Sequence, residues 1–265
     1  MSRSSLPLAA AALVAAGFLI AGCGPGSSSS SGSAGSSKAP STGSSSSSSS
    51  SSAPTSSGSG SGFDTTLFPA TVGNTWVYQS TLAASSETGT ETNKITAVTP
   101  DSAGERVTIT DTPDISGLPS KTTTLTYQLN SDGSIGVPFS QFDSSTVQVM
   151  GGGILWPSAA QLASGQPHTS TLSLRVTSEG HAIAVKGHVT VKGEGTQSVT
   201  VPAGTYQATV VDEAITEAFD GITITISVKT YLANGVGPVK SVASTTTAGR
   251  TATVSSEVLK SFTKG

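Results

Sequence analysis

The sequence predicts an all-β domain, a sandwich or a barrel, and three observations carry that expectation. From Phe63 onward the chain is rich in Thr, Val, Ile and Gly, residues that suit a pleated, half-buried surface. Apolar side chains recur at every second position over many short stretches, the period of a strand with one buried face. Turn sequences punctuate these stretches at strand-length intervals, as in consecutive antiparallel strands.

Taken in order, Trp76, Tyr78 and Leu82 fall on one parity, and Val107 and Ile109 repeat the pattern. Leu125, Tyr127 and Leu129 face one way, Asn130-Ser131-Asp132-Gly133 turns the chain, and Ile135, Val137 and Phe139 follow, which reads as a hairpin. Leu172, Leu174 and Val176 precede a turn at Ser178-Glu179-Gly180, and Ile183, Val185, Val189 and Val191 continue beyond it. Pro202 fixes φ and Gly204 permits a positive φ, so Pro-Ala-Gly makes a tight turn between strands 196–201 and 205–213. Ile222, Ile224, Ile226 and Val228 form the cleanest alternating run, and Asn234-Gly235 signals another hairpin. One short helix is expected near Ser158: Ser158 and Gln161 have capping-box spacing, and Gly165 can end it after two turns.

Ahead of this domain lie two segments of other character. Residues 1–22 have the build of an export signal: Arg3, an apolar run from Leu6 to Ile20, then Ala21 and Gly22. The run is about 15 residues, short of the ~20 that span a bilayer as a helix. Ile20-Ala21-Gly22-Cys23 resembles the bacterial lipobox. The resemblance implies cleavage between Gly22 and Cys23, a diacylglyceryl group on the Cys23 thiol and an acylated amine such as a palmitoyl amide. Two or more acyl chains anchor stably where one does not. Cys23 is the only cysteine, so lipidation accounts for it and no disulfide can form within the chain. Gly24 follows it where an Asp would resemble a retention signal, which implies the outer membrane in a two-membrane cell and the outer face of the plasma membrane otherwise. Residues 23–62 are then a tether. Ser with Gly, Ala, Pro and Thr cannot bury enough surface to offset ordering entropy, so disorder is expected. A flexible coil over residues 27–62 spans roughly 33 Å. It is a passive spacer or a glycosylated stalk.

Residues 63–265 form the globular part. No acid precedes Asp64, and only Arg3 and Lys38 of the basic residues do, so the domain is near −5 where the chain is −3. No basic patch stands out, which argues against nucleic acid. The candidate sites are sparse. His168, His181 and His188 are the only histidines, and seven residues put His181 and His188 on opposite faces of one strand, so they make no metal pair. No Ser sits in a G-x-S-x-G elbow. Gly151-Gly152-Gly153 could frame an oxyanion hole but reads more simply as a bulge or turn. Asp212, Glu213 and Glu217 form an acidic cluster on one strand, expected as a solvated face that resists edge pairing. Catalytic residues, metal and cofactor are therefore expected to be absent, the acyl lipid on Cys23 aside.

Three further stretches carry a resemblance. Phe68-Pro69-Ala70-Thr71-Val72-Gly73-Asn74-Thr75-Trp76-Val77-Tyr78, Val201-Pro202-Ala203-Gly204-Thr205-Tyr206 and Tyr231-Leu232-Ala233-Asn234-Gly235-Val236-Gly237-Pro238-Val239-Lys240 resemble, in order and spacing, motifs of a family of uncharacterised bacterial envelope lipoproteins. The resemblance extends to the LolA/LolB-like and lipocalin-like group. It implies a strongly curved antiparallel sheet, half-barrel or closed, around an apolar hollow, although Lol-type half-barrels carry helical lids and this chain offers one short helix. Three functions compete: a non-enzymatic binding or structural module with an envelope-protein partner, a carrier or chaperone of a lipid or other hydrophobic ligand, and a cell-wall or glycan hydrolase. The last needs convergent carboxylates or a Ser-His pair in a cleft.

Overall fold

Alternation becomes a closed sheet. The structure, a computed structural model, describes residues 66–116, 120–138, 147–178, 181–219 and 222–265. The expected signal, Cys23 and the tether lie outside these residues. Among the described residues the chain forms β1 (Thr75–Leu82), β2 (Glu87–Asp101), β3 (Gly104–Ile115), β4 (Thr123–Asn130), β5 (Ile135–Pro138) and β6 (Val147–Trp156). The helix α1 (Ala159–Ala163) follows, then β7 (His168–Ser178), β8 (His181–Val201), β9 (Gly204–Phe219), β10 (Ile222–Ala233), β11 (Gly237–Thr247) and β12 (Arg250–Thr263). Each strand pairs antiparallel with its sequence neighbours, and β1 pairs with β12. The sheet is therefore an up-and-down barrel with no open edge, the arrangement that removes unpaired strand edges.

Three of the expected turns are present, while Glu179-Gly180 of the fourth and Phe139 lie outside the described residues. Val201 pairs with Gly204 across Pro202-Ala203, and Gly204 has φ +139. Ala233 pairs with Gly237 around Asn234-Gly235, where Gly235 has φ +70. In the β4–β5 turn Gly133 has φ +81, and Asp132 Oδ1 accepts from Ser134 N at 2.9 Å and Ser134 Oγ at 2.6 Å. The helix is shorter than two turns but capped as expected. Gln161 N donates to Ser158 Oγ at 3.4 Å, and Ser158 N donates to Gln161 Oε1 at 2.8 Å. Its one buried residue, Leu162, enters the core. The helix lies against β8 at Gly193, where a Cβ would stand 2.0 Å from Leu162 O. Gly193 is also where the β8–β9 register shifts.

The apolar parity of the strands faces inward, the reverse of a lipid-facing barrel. Two apolar clusters fill the interior. One gathers Ile154, Leu172, Leu174, Val189, Val191, Ile215 and Ile226, the other Trp76, Ile95, Val107, Leu129, Val239 and Leu259. Tyr127 packs against both. No helix among the described residues is long and apolar enough to cross a membrane.

Candidate functional site

The three motif segments meet at one end of the barrel. Trp76 Nε1 donates to Val236 O at 2.6 Å, and Tyr78 OH donates to Pro238 O at 3.0 Å, so β1 is tied to the β10–β11 hairpin. Gly235 N donates to Thr66 O at 2.7 Å. Gly237, at φ +91, lets the hairpin backbone approach Pro69 and the Trp76 indole. Phe68 stacks on Trp76 with centroids 6.5 Å apart, and Trp76 stacks on Phe262 at 5.2 Å. Asn74 binds the end together: its Nδ2 donates to Pro69 O at 2.7 Å, and its Oδ1 accepts from Gly265 N at 3.0 Å. Ala203 N in the Pro-Ala-Gly turn donates to Leu259 O at 3.0 Å. Pro202 and Gly204 thus sit at the β8–β9 turn, and Asn234 and Gly235 at the β10–β11 turn.

The unforeseen feature lies deeper in the barrel. Glu91 on β2, Asp111 on β3 and Glu257 on β12 all point inward and converge. Asp111 is 0% exposed and Glu91 3%. Glu257 is half-buried by area, with its carboxyl packed deep among protein atoms. Glu91 lies within hydrogen-bonding reach of both Asp111 and Glu257. A polar belt extends from them in register. Ser80 on β1 faces Glu257, Glu257 faces Ser241 on β11, and Ser241 faces Thr230 on β10. Ser241 Oγ donates to Glu257 Oε2 at 3.2 Å, and Asn93 Nδ2 to Glu91 Oε1 at 3.3 Å.

Donors run out there. Glu91 Oε2, both oxygens of Asp111 and Ser80 Oγ find no hydrogen-bond partner when the acids are ionised. Burying a charge without a counter-ion is costly, so such groups take up a proton instead. Burial, then the Glu91 charge, pushes the Asp111 carboxyl up to about 8. Burial raises Glu257 well above the usual range, with Glu91 adding to it. Glu91 is raised by burial too, an effect its hydrogen-bond partners reduce. Protonation also supplies the missing donors, because a carboxylic acid can give a hydrogen bond to its neighbour.

A second acidic spot follows on β9. Glu213 and Glu217 are buried and face inward, at 6% and 8% exposure, which corrects the expectation of a solvated acidic face. They share the inward parity with Val211 and Ile215, and that parity decided their fate. Asp212 alone has the outward parity, in register with Lys229, which is ion-paired to Glu194 at 2.7 Å. Trp156 Nε1 donates to Glu213 Oε2 at 2.7 Å. Burial pushes Glu213 up to about 7 despite that bond.

The other candidates disperse. His188 is exposed on the outer face of β8 and His168 half-buried at the start of β7, while the side chain of His181 lies outside the described set. Gly152, at φ +96, adjoins the β-bulge between Val149 and Gly151, and a Cβ there would meet Thr171 O at 2.1 Å. Gly152 therefore serves close strand packing, while a Cβ at Gly151 would meet open space. Among the described residues no group of three or more His, Cys, Asp or Glu is arranged to hold a metal ion. The carboxyls of Glu91, Asp111 and Glu257 converge inside the barrel, where the Asp111 oxygens and Glu91 Oε2 have essentially no accessible surface.

The comparisons agree with this architecture. The profile of the DUF3108-like family matches residues 71–248, which span β1 through β11, the second and third motif segments, and the first from Thr71 onward. A crystal structure of a candidate lipoprotein from Parabacteroides distasonis ATCC 8503 superposes with a TM-score of 0.55 at 16% identity, covering 75% of this chain and 98% of that one. A candidate exported protein with a YmcC-like fold from Bacteroides fragilis NCTC 9343 gives 0.50 at 17%, covering 75% and 99%. At these identities the likeness is one of fold. No curated protein matches the chain.

Proposed function

From the premise that the chain belongs to the DUF3108-like family, we propose that it is an extracytoplasmic, lipid-anchored envelope protein whose barrel acts as a non-enzymatic binding or structural module. The observation that carries this reading is where the chemistry sits. Glu91, Asp111 and Glu213 are buried among the inward-facing side chains of the barrel, not on its accessible surface. The outer surface is left for contacts, and Cys23 with the tether sets where they are made. The names of the two structural neighbours, a candidate lipoprotein and a candidate exported protein, accord with this setting.

Anchoring is tested by labelling cells with an alkyne palmitate analogue. Wild type takes the label and fractionates with the membrane. Cys23→Ser loses the label and is released; retention of both would overturn the anchor. The module reading is tested by in-cell photo-crosslinking from outer-face positions such as Met150 and Leu155, which are exposed. A discrete envelope protein in the adducts supports it. No adduct from any face, together with no envelope phenotype on deletion, refutes it.

The apolar interior favours a second reading, a carrier for a lipid or other hydrophobic ligand. Native mass spectrometry of protein from the envelope decides it: a bound apolar ligand supports the carrier, and the bare mass removes it.

A further inference from the structure

The carboxyl cluster spans the place where the barrel closes. The first strand, β1, is paired with the last, β12, on one side and with β2 on the other. Glu257 and Glu91 reach each other from β12 and β2 across β1, and Asp111 extends the contact to β3. Ser80 of β1 faces the same interior, 3% exposed and with its hydroxyl unpartnered. The unpartnered oxygens of Asp111 and Glu91 have essentially no accessible surface. A hydrated ion or an organic ligand has no room against them. The particle that fits, and that gives each pair a donor, is a proton.

We infer that Glu91, Asp111 and Glu257 form a proton-held latch across the β12–β1–β2 seam, closed while the carboxyls share protons and strained open when they ionise. Protonated, the acids hydrogen-bond from β12 to β2 to β3 and clamp β1 between them. Ionised, they become like charges at hydrogen-bonding distance in a poorly solvated space, which repel strongly. Among the described residues no cation faces the cluster to neutralise it. The groups facing the cluster are Tyr78 and Ser80 from β1, Asn93 from β2, Tyr127 from β4 and Ser241 from β11, with Glu213 of β9 acting on Tyr127. None is a base. Tyr78 spends its hydroxyl proton on Pro238 O. Because the folded state holds these protons more tightly than the unfolded chain, stability is greatest near the ordinary carboxylate range. It falls as pH rises toward the Asp111 value of about 8. An extracytoplasmic barrel exposed to ambient pH would have a seam that responds to it. The latch does not depend on what the barrel binds.

The test follows Tm and amide hydrogen exchange of the full chain in mild detergent from pH 5 to 8.5, with exchange corrected for its intrinsic pH dependence. Wild type is expected to lose roughly 5–10 °C of Tm over that range. Protection should fall first in β1 and β12, ahead of β7 and β8. Glu257→Gln, which removes the charge but keeps a hydrogen-bonding group, should flatten the slope by at least half. Glu213→Gln removes only its own share and leaves the seam-selective exchange in place. A wild-type Tm that is flat or rises with pH, or exchange that grows evenly around the barrel, overturns the latch. Should Glu257→Gln fail to fold, carboxyl carbon NMR titration of wild type decides instead. Glu91, Asp111 and Glu257 carboxyls that all titrate near 4 refute the proposal, and coupled titration toward neutral pH sustains it.

Discussion

Trp156 and Glu213 show how one indole sets a carboxyl's behaviour. The N–H donates at 2.7 Å and opposes the burial that pushes Glu213 up to about 7. Trp156→Phe keeps the ring and removes the donor. Glu213 should then titrate above 7, followed by carboxyl NMR, and the barrel should lose about 1.5–3 kcal/mol at pH 8, the range for a hydrogen bond to a charged group. The loss should shrink at pH 5. Across the barrel, Trp76 is 3% exposed and bonded to the hairpin. Trp76→Ala should cost about 3–5 kcal/mol in denaturant melts. Residue by residue, the carboxyl cluster had a readable signal. Asp111 lies two positions after Ile109, Glu257 two before Leu259, and Glu91 four before Ile95. Each is a carboxyl on the apolar parity of its strand. Their meeting was not readable, because it depends on a pairing between the first and last strands.

Among the elements, the hairpins were the most legible, since their geometry is dictated locally by residues such as Gly204, Gly235 and Asp132-Gly133. The helix was legible through its capping box, and Ser158→Ala should cost about 1 kcal/mol by thermal melt. Its length was not, because Gly193 and the β8 bulge set how much helix fits against the sheet. The acidic run on β9 splits between two faces, Asp212 outward and Glu213 and Glu217 inward. Neighbours along a strand face opposite ways, so the outward Asp212 says nothing of the other two. Gly104 has a stricter role than any turn residue named from the sequence. A Cβ there would sit 2.1 Å from Leu129 O at φ +151. Gly104→Ala should destabilise the β2–β3 hairpin by more than the 1–3 kcal/mol of local strain alone, seen as lost amide protection in β2 and β3.

For the whole molecule, β-class and strand order along the chain followed from alternation and turns, while closure did not. Alternation is the same in a half-barrel, a sandwich and a barrel. What selects the barrel is the long-range pairing of β1 with β12 and the knot of Trp76, Phe68, Phe262, Asn74 and Gly265 around it. Such pairing closes a loop of nearly the full fold, so contact order is high and slow folding, in milliseconds to seconds or longer, is expected by stopped-flow fluorescence of Trp76 and Trp156.

The bond from Gly265 N to Asn74 Oδ1 also has a bearing on connectivity. A ring of strands joined only to their neighbours has no preferred starting point, and here its two ends touch. A short Gly-Ser bridge from Gly265 to the segment before Asn74 could therefore unite them, with new ends cut at the exposed Ala248-Gly249 turn. The permuted chain should regain the same barrel, since the order of neighbours around the ring is unchanged.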